Sequence, residues 1–312
     1  VTLTPEQMAL RAHRLGASDM AAVMGLADTN RNPLDVYMRL VGLERPQPES
    51  PQMRRGNRLE ATIADWYAEE LNVYVNPSDS LIHPTEDWLL ATPDRIVFNA
   101  AGEMWGLEVK TRAYTRHGEW GEAGTDEVPH GVAIQCVVGM MVTGFRRWDV
   151  AAALSLDDWR VYTLAYDEET AEAILAAGRD FIENHVAKRE PPPLDGSDSA
   201  HRLLAALWPV AGTEMLAADP EAEELLTRLK SVRAEKVVVE AQESELEVRL
   251  KAKIGDNAGI VGSVGKVTWK TVKSSPRWAE VAKALSPSAE LILAHTGGGY
   301  RKFVPTFNDK ES

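Results

Sequence analysis

The chain has 312 residues, 44% of them hydrophobic and 26% charged, with a formal net charge of −13. That is ordinary for a globular protein with one large domain, or one domain plus an appendage. Its acidity argues against a protein that coats nucleic acid, while an enzyme with a locally basic channel stays open.

Residues 4–44 read as helical, with Ser18 as an N-cap, Gly25 as a stop and a second helix from Pro33 through Leu43. A loop at 46–52 leads to a helix from about Met53 to Leu71, where Leu59, Ile63, Trp66 and Tyr67 keep helical spacing. Short strands are expected at 73–75 and 80–83. Strands at 94–99 and 104–111 form a hairpin about the turn from Asn99 to Gly102. Residues 112–130 read as an irregular loop carrying Arg112, Arg116 and Trp120. An almost uniformly apolar helix at 131–143 follows, then strands at about 147–155 and 159–165 and a helix at 167–188. The Pro- and Ser-rich stretch 187–200 reads as a linker.

Residues 219–254 read as one long charged helix. Its Leu225, Leu229, Val232, Val239, Leu246 and Leu250 keep a 3–4 spacing that Lys236 and Glu243 interrupt. A β segment at 259–273, a helix at 276–285 and a closing strand around Tyr300–Phe307 complete the chain. This order predicts an α/β fold, a central sheet flanked by helices. The expected domain limits are 1–190, a linker and short helix over 191–218, and a C-terminal helix-plus-strand extension over 219–312.

Single Cys136 excludes an internal disulfide and a cysteine-cluster metal site. His13, His83, His117 and His130 are isolated, so a histidine-based metal site is not expected. No apolar run is long enough to span a bilayer, and the segment Val1–Glu6 lacks the charged and apolar regions of a signal peptide. A cytoplasmic protein without a membrane partner is therefore expected. There is no Gly-Lys-Ser/Thr phosphate loop and no Gly-x-Ser-x-Gly elbow.

The chemistry concentrates in three fragments. Glu108 and Lys110 are two apart in a predicted strand and leave it on the same face, while Val109 points the other way. The hairpin can bring Asp94 beside them, and Pro93 fixes its approach. Two acids and a lysine suit metal-assisted phosphodiester cleavage, with the acids holding Mg²⁺ and the lysine offsetting phosphate charge. A Glu-x-Lys pair on a strand is also a common solvent-facing arrangement.

Glu60 follows the basic turn of Arg54, Arg55 and Arg58, and Gly56 leaves room for a close backbone approach. A third carboxylate at the metal cluster and a simply solvated glutamate are both open. Gln135 is a polar residue in an apolar helix, either a satisfied core amide or a group aimed at bound water or phosphate. Arg11, Arg14 and Ser18 precede a helix start and form either a surface pair or a phosphate pocket.

Taken together, residues 14–19 (Arg-Leu-Gly-Ala-Ser-Asp), 55–60 (Arg-Gly-Asn-Arg-Leu-Glu), 91–94 (Ala-Thr-Pro-Asp) and 107–111 (Leu-Glu-Val-Lys-Thr), with Gln135 and 142–144 (Val-Thr-Gly), occur in an order that resembles the YqaJ-like phage recombination nucleases. These are relatives of lambda exonuclease in the PD-(D/E)XK nuclease superfamily, and the resemblance covers about residues 8–190.

It implies a PD-(D/E)XK core and a two-Mg²⁺ exonuclease, with Mn²⁺ able to substitute. Such an enzyme degrades one strand of duplex DNA from its 5′ end and leaves a 3′ single-stranded tail. Asp94, Glu108 and the Val109 carbonyl would bind metal, Glu60 would support the second ion, and Lys110 would position or deprotonate water. Arg11 or Arg14, Ser18 and Thr92 would meet the 5′ phosphate. Gln135 would belong to the catalytic set, although Val137 stands where lambda exonuclease carries a second glutamine.

The resemblance also implies double-stranded DNA ends as substrate, a RecT/Beta-like single-strand annealing protein as partner, and a homo-oligomer of the ring-trimer kind. The segments 268–271 and 300–303 look like the C-terminal extension of longer phage members. Residues 258–312 carry eight Lys/Arg against four Asp/Glu, an excess that either touches DNA or is solvated. An endonuclease of the same superfamily and a non-catalytic DNA-binding scaffold are the alternatives.

Overall fold

The turn at Asn99–Gly102 organises the main sheet. Gly102 takes φ +82°, a region that side chains with a Cβ rarely enter. The Asn99 Oδ1 accepts the N–H groups of Ala101 and Glu103, each at 3.0 Å. The computed structural model describes residues 5–27, 31–44, 50–111, 118–272, 277–296, 302–303 and 305. Arg112, Arg116 and His117, most of the 46–52 loop and most of the closing strand expected at Tyr300–Phe307 lie outside these residues.

The chain divides into two compact units, Val1–Trp208 and Pro209–Ser312. In the first, the turn joins β5 (Arg95–Phe98) to β6 (Met104–Thr111) in antiparallel register, Arg95 opposite Leu107. With β2 (Tyr74–Asn76), β7 (Arg147–Ala153) and β8 (Trp159–Ala165) they form a sheet of order β2-β5-β6-β7-β8. Only the β6–β7 pair in it is parallel. A parallel pair needs a crossover, and α5 (His130–Thr143) supplies it, buried on nearly every side as its apolar sequence requires.

Side chains alternate along β6. Trp105, Leu107 and Val109 pack with Val97 and Ala151 against α4 (Pro51–Leu71), whose buried stripe is Glu60, Ile63, Ala64 and Tyr67. Gly106, Glu108 and Lys110 take the opposite face. Here Trp148 fills the gap between sheet and α5. A Cβ at Gly106 would fall 2.3 Å from its ring, and one at Gly139 2.4 Å. Both glycines make room for the one indole.

The N-terminal segment is α1 (Pro5–Arg11), β1 (Leu15–Gly16), α2 (Ala17–Val23) and α3 (Pro33–Leu40). β1 lies parallel to β4 (Leu89–Ala91), which pairs antiparallel with β3 (Leu81–Ile82). Neither β1 nor β4 stands out in the sequence, because two or three residues are too few to show a period. The N-cap of α2 is Gly16 and not Ser18; the Asp19 carboxylate accepts the Gly16 N–H at 2.7 Å and does the capping instead. α3 ends at Leu40, short of Leu43, and Gly42 follows at φ +76°.

α6 (Glu168–Phe181) continues as a π-helical turn to Val186. The stretch read as linker gives way at Ser197, which caps α7 (Asp198–Leu207) by accepting the Ala200 N–H at 3.2 Å. Arg202 of α7 pairs with Asp35 of α3 at 2.7 Å.

In the second unit, α8 (Pro220–Ile254) starts at an Asp219 cap and stays exposed along almost its whole length. The β segment expected at 259–273 is a hairpin of β9 (Gly259–Gly262) and β10 (Gly265–Thr268). α9 (Trp278–Ala284) and a further short helix, α10 (Ala289–Ala294), follow. Among the described residues no helix is long and apolar enough to cross a membrane.

Candidate active site

Asp94 sits just before β5 and reaches across to β6, where its Oδ2 accepts the Val109 N–H at 2.7 Å. The acid is thereby held beside the next strand and not left to solvent. Glu108 and Lys110 emerge from β6 on one face, as their spacing demands, and the Lys110 ammonium donates to Glu108 Oε1. Burial pushes the Asp94 carboxyl well above the usual carboxylate range; the charges of Glu108 and Glu60 push it further, and Lys110 pulls it back. This end of the sheet therefore holds more negative charge than its own lysine offsets.

A cavity of about 220 Å³ opens here, lined by Arg11, Ser18, Thr92, Asp94, Glu108 and Gln135. Five separate parts of the fold supply these groups: the end of α1, the first turn of α2, the β4–β5 connection, β6 and α5. Arg11 and Arg14 part company. Arg14 turns away, its Nε donating to the Asp87 carbonyl at 2.8 Å and its Nη1 to that of Leu10 at 3.1 Å. Arg11 lines the cavity, and burial lowers its proton affinity while Asp19 and Glu108 restore part of it.

Glu60 is buried at the start of the α4 stripe and ion-paired with Arg95 at 2.9 Å. Gly56 comes near Thr111, but a Cβ there would stand 3.6 Å from the Thr111 Oγ1, an ordinary contact. The approach does not require glycine. Gln135 has Cys136 and Val137 as fully core neighbours on α5 and is itself only partly buried, at the cavity. Val137 stays 5% exposed in the apolar core.

Two serines were missed by the sequence reading. Ser78 lines the cavity, and the Ser80 and Thr92 hydroxyls meet at 2.6 Å. The β3–β4 register, Leu81 opposite Ala91, carries Ser80 to Thr92. That register was invisible without β4. Arg95 as the partner of Glu60 was missed too; its position, thirty-five residues from Glu60, gives no local signal.

Among the described residues no three His, Cys, Asp or Glu side chains form a metal-holding group. The donors at the cavity are nonetheless hard oxygens, the carboxylates of Asp94 and Glu108. Their surplus negative charge is what a small divalent cation relieves. The residues fit Mg²⁺ or Mn²⁺ and lack the nitrogen and sulfur ligands of a zinc site.

The model of the YqaJ-like viral recombinase domain matches residues 7–146, a span that includes every cavity residue named above. The uncharacterised protein YqaJ of Bacillus subtilis (strain 168) is 25% identical over 276 residues, 85% of this chain and 82% of its own length. Among solved structures, an alkaline exonuclease from Laribacter hongkongensis is 23% identical with a TM-score of 0.48, over 60% of this chain and 95% of that one. A phage-related exonuclease from Haemophilus somnus 129PT is 10% identical with a TM-score of 0.41, over 56% and 96%.

Proposed function

We propose, from the match of residues 7–146 to the YqaJ-like viral recombinase domain, that the protein is a Mg²⁺-dependent nuclease that shortens one strand of duplex DNA from its 5′ end. The observation that carries the reading is one cavity where an arginine and three hydroxyls meet two carboxylates and an amide. An arginine with hydroxyl donors suits a terminal phosphate, and paired carboxylates suit hydrolysis of the neighbouring phosphodiester.

Asp94, Glu108 and the Val109 carbonyl would hold the metal, Mn²⁺ serving in place of Mg²⁺. A bound divalent ion supplies charge neutralisation and a water of lowered pKa. Lys110, tied to Glu108, sets a cation beside the attacked phosphate and holds a proton at Nζ near the water's approach. Arg11, Ser18 and Thr92 grip the 5′ phosphate and fix which bond is presented. The Gln135 amide orients water or a phosphate oxygen. Glu60, paired with Arg95 through Oε1, would support a second ion.

The product would be a 3′ single-stranded tail, the form a RecT/Beta-like annealing protein consumes in recombination. A homo-oligomeric ring belongs to the same reading and is tested by light scattering on the purified chain. A time course on end-labelled linear duplex, with covalently closed circles alongside, tests the activity. Mg²⁺-dependent loss of the 5′ label with intact circles is expected. Nicking of the circles makes the protein an endonuclease, and no cleavage in Mg²⁺ or Mn²⁺ removes the enzymatic reading.

A further inference from the structure

Arg11 stands at the end of α1, a seven-residue helix, and the two-residue β1 follows soon after. Elements this short do not fix a long side chain by themselves. Something else must hold this one, and the surroundings show what does. The guanidinium lies against Gly16, where a Cβ would come within 2.9 Å of Arg11 Nη2 and 3.2 Å of Asp19 Oδ2.

Asp19 is 1% exposed. Its Oδ2 accepts the Gly16 N–H at 2.7 Å and Arg39 Nη2 at 2.7 Å, and its Oδ1 faces Arg31 at 2.7 Å. The same Arg39 guanidinium donates to the Arg11 carbonyl and, at 2.9 Å, to the Arg14 carbonyl. One planar group on α3 thus clamps both ends of the turn that presents Arg11 and locks it to the acid of α2. A lysine could not make this fork of contacts.

Three guanidinium groups, Arg11, Arg31 and Arg39, crowd a single buried carboxylate. Arg31 and Arg39 lower the proton affinity of Arg11, and Asp19 and Glu108 raise it. Arg39 itself does not line the cavity.

We propose that Arg39, held by Asp19, is the positioning residue that aims Arg11 at the terminal phosphate and so sets the preference for 5′-phosphorylated ends. This rests on the reading of Arg11 as the phosphate contact. The consequence is a specific separation: loss of Arg39 removes end recognition and leaves hydrolysis, because Asp94, Glu108 and Lys110 are held by a different part of the fold.

The test compares kcat/KM of the full chain on duplexes with 5′-phosphate and 5′-hydroxyl ends, in wild type, Arg11→Ala, Arg39→Ala and Asp19→Asn. Arg11→Ala should bring the two rates within about twofold of each other, and Arg39→Ala and Asp19→Asn should do nearly the same while the rate on 5′-hydroxyl ends stays within about threefold of wild type. If Arg39→Ala does not fold, Arg39→Gln carries the same two measurements. Loss of preference in Arg11→Ala alone overturns the positioning role and keeps the phosphate contact. Equal loss on both ends in the Arg39 variants makes Arg39 merely structural and also overturns it. Unchanged preference in Arg11→Ala removes the phosphate contact and the inference with it.

Discussion

The carboxylate of Asp94 accepts a hydrogen bond from the backbone N–H of Val109 at 2.7 Å, across the gap between the start of β5 and β6. The bond joins one acid to the very strand that carries the other acid and the lysine. Geometry at this point is therefore set by main chain, which varies less than rotamers do.

The charge crowding there should make the folded protein sensitive to alkali. Asp94 holds its proton more tightly when folded than when unfolded. Its stabilising contribution is therefore complete below the unfolded carboxylate pKa and is lost as pH rises toward its raised folded value. Thermal melts in chelator from about pH 5 to about pH 9 should show falling stability in wild type, a flatter profile in Asp94→Asn, and recovery of the wild type on adding Mg²⁺. A wild-type profile that rises with pH and ignores Mg²⁺ would contradict the account.

Lys110 is bonded to Glu108 and only partly exposed. Lys110→Ala should lower cleavage by about 10²–10⁴-fold, the range for loss of a proton-handling or charge-offsetting group. On the proposed reading, binding of duplex ends with Ca²⁺ in place of Mg²⁺ should change little. Full turnover in this variant would remove Lys110 from the reaction.

Trp148 leaves no space for a methyl group on either side. Gly106→Ala and Gly139→Ala should each destabilise the protein by about 1–3 kcal/mol or more through overpacking. Urea unfolding followed by tryptophan fluorescence measures this, and a neutral result at either site would mean that the layers give way more easily than the contacts imply.

Asp149 is fully buried, and receives the Tyr67 hydroxyl at 2.5 Å, the Thr163 hydroxyl at 2.8 Å and both arms of Arg147. Arg147 also lies 4.2 Å over the Trp105 ring. Arg147→Met should cost about 3 kcal/mol, because it leaves a buried carboxylate without its counter-charge. The same unfolding assay measures this loss, and a neutral result would mean that Tyr67 and Thr163 suffice to hold the carboxylate.

Much of this was readable from residue order. Glu108 and Lys110 alternate with Val109 because a strand has period two, and Asn99–Gly102 announces its turn; both hold. The apolar run of α5 and the stripe of Ile63 and Tyr67 on α4 are equally plain, since long periodic segments average out local accidents. What escaped depended on pairing between distant short segments. β1 and β4 contain too few residues to show a pattern, so the register that brings Ser80 to Thr92 stayed hidden. The choice between Arg11 and Arg14 turns on three residues of helix and turn geometry, about one helical turn, and only the contacts to Asp87 and Leu10 decide which faces away. The Arg95 partner of Glu60 could not be read from spacing at all.

β6 is bonded along both edges in the middle of its sheet, whereas Arg11 ends a seven-residue helix that leads into a two-residue strand. Amide exchange should therefore be slowest at Glu108 to Lys110 and faster over Arg11 to Arg14, where the Arg39 side chain and not a strand ladder holds the turn. On the proposed reading, a DNA end would then be released and re-engaged at the Arg11 side while Asp94, Glu108 and Lys110 keep their alignment, which would separate the rate of stepping from the rate of bond breaking.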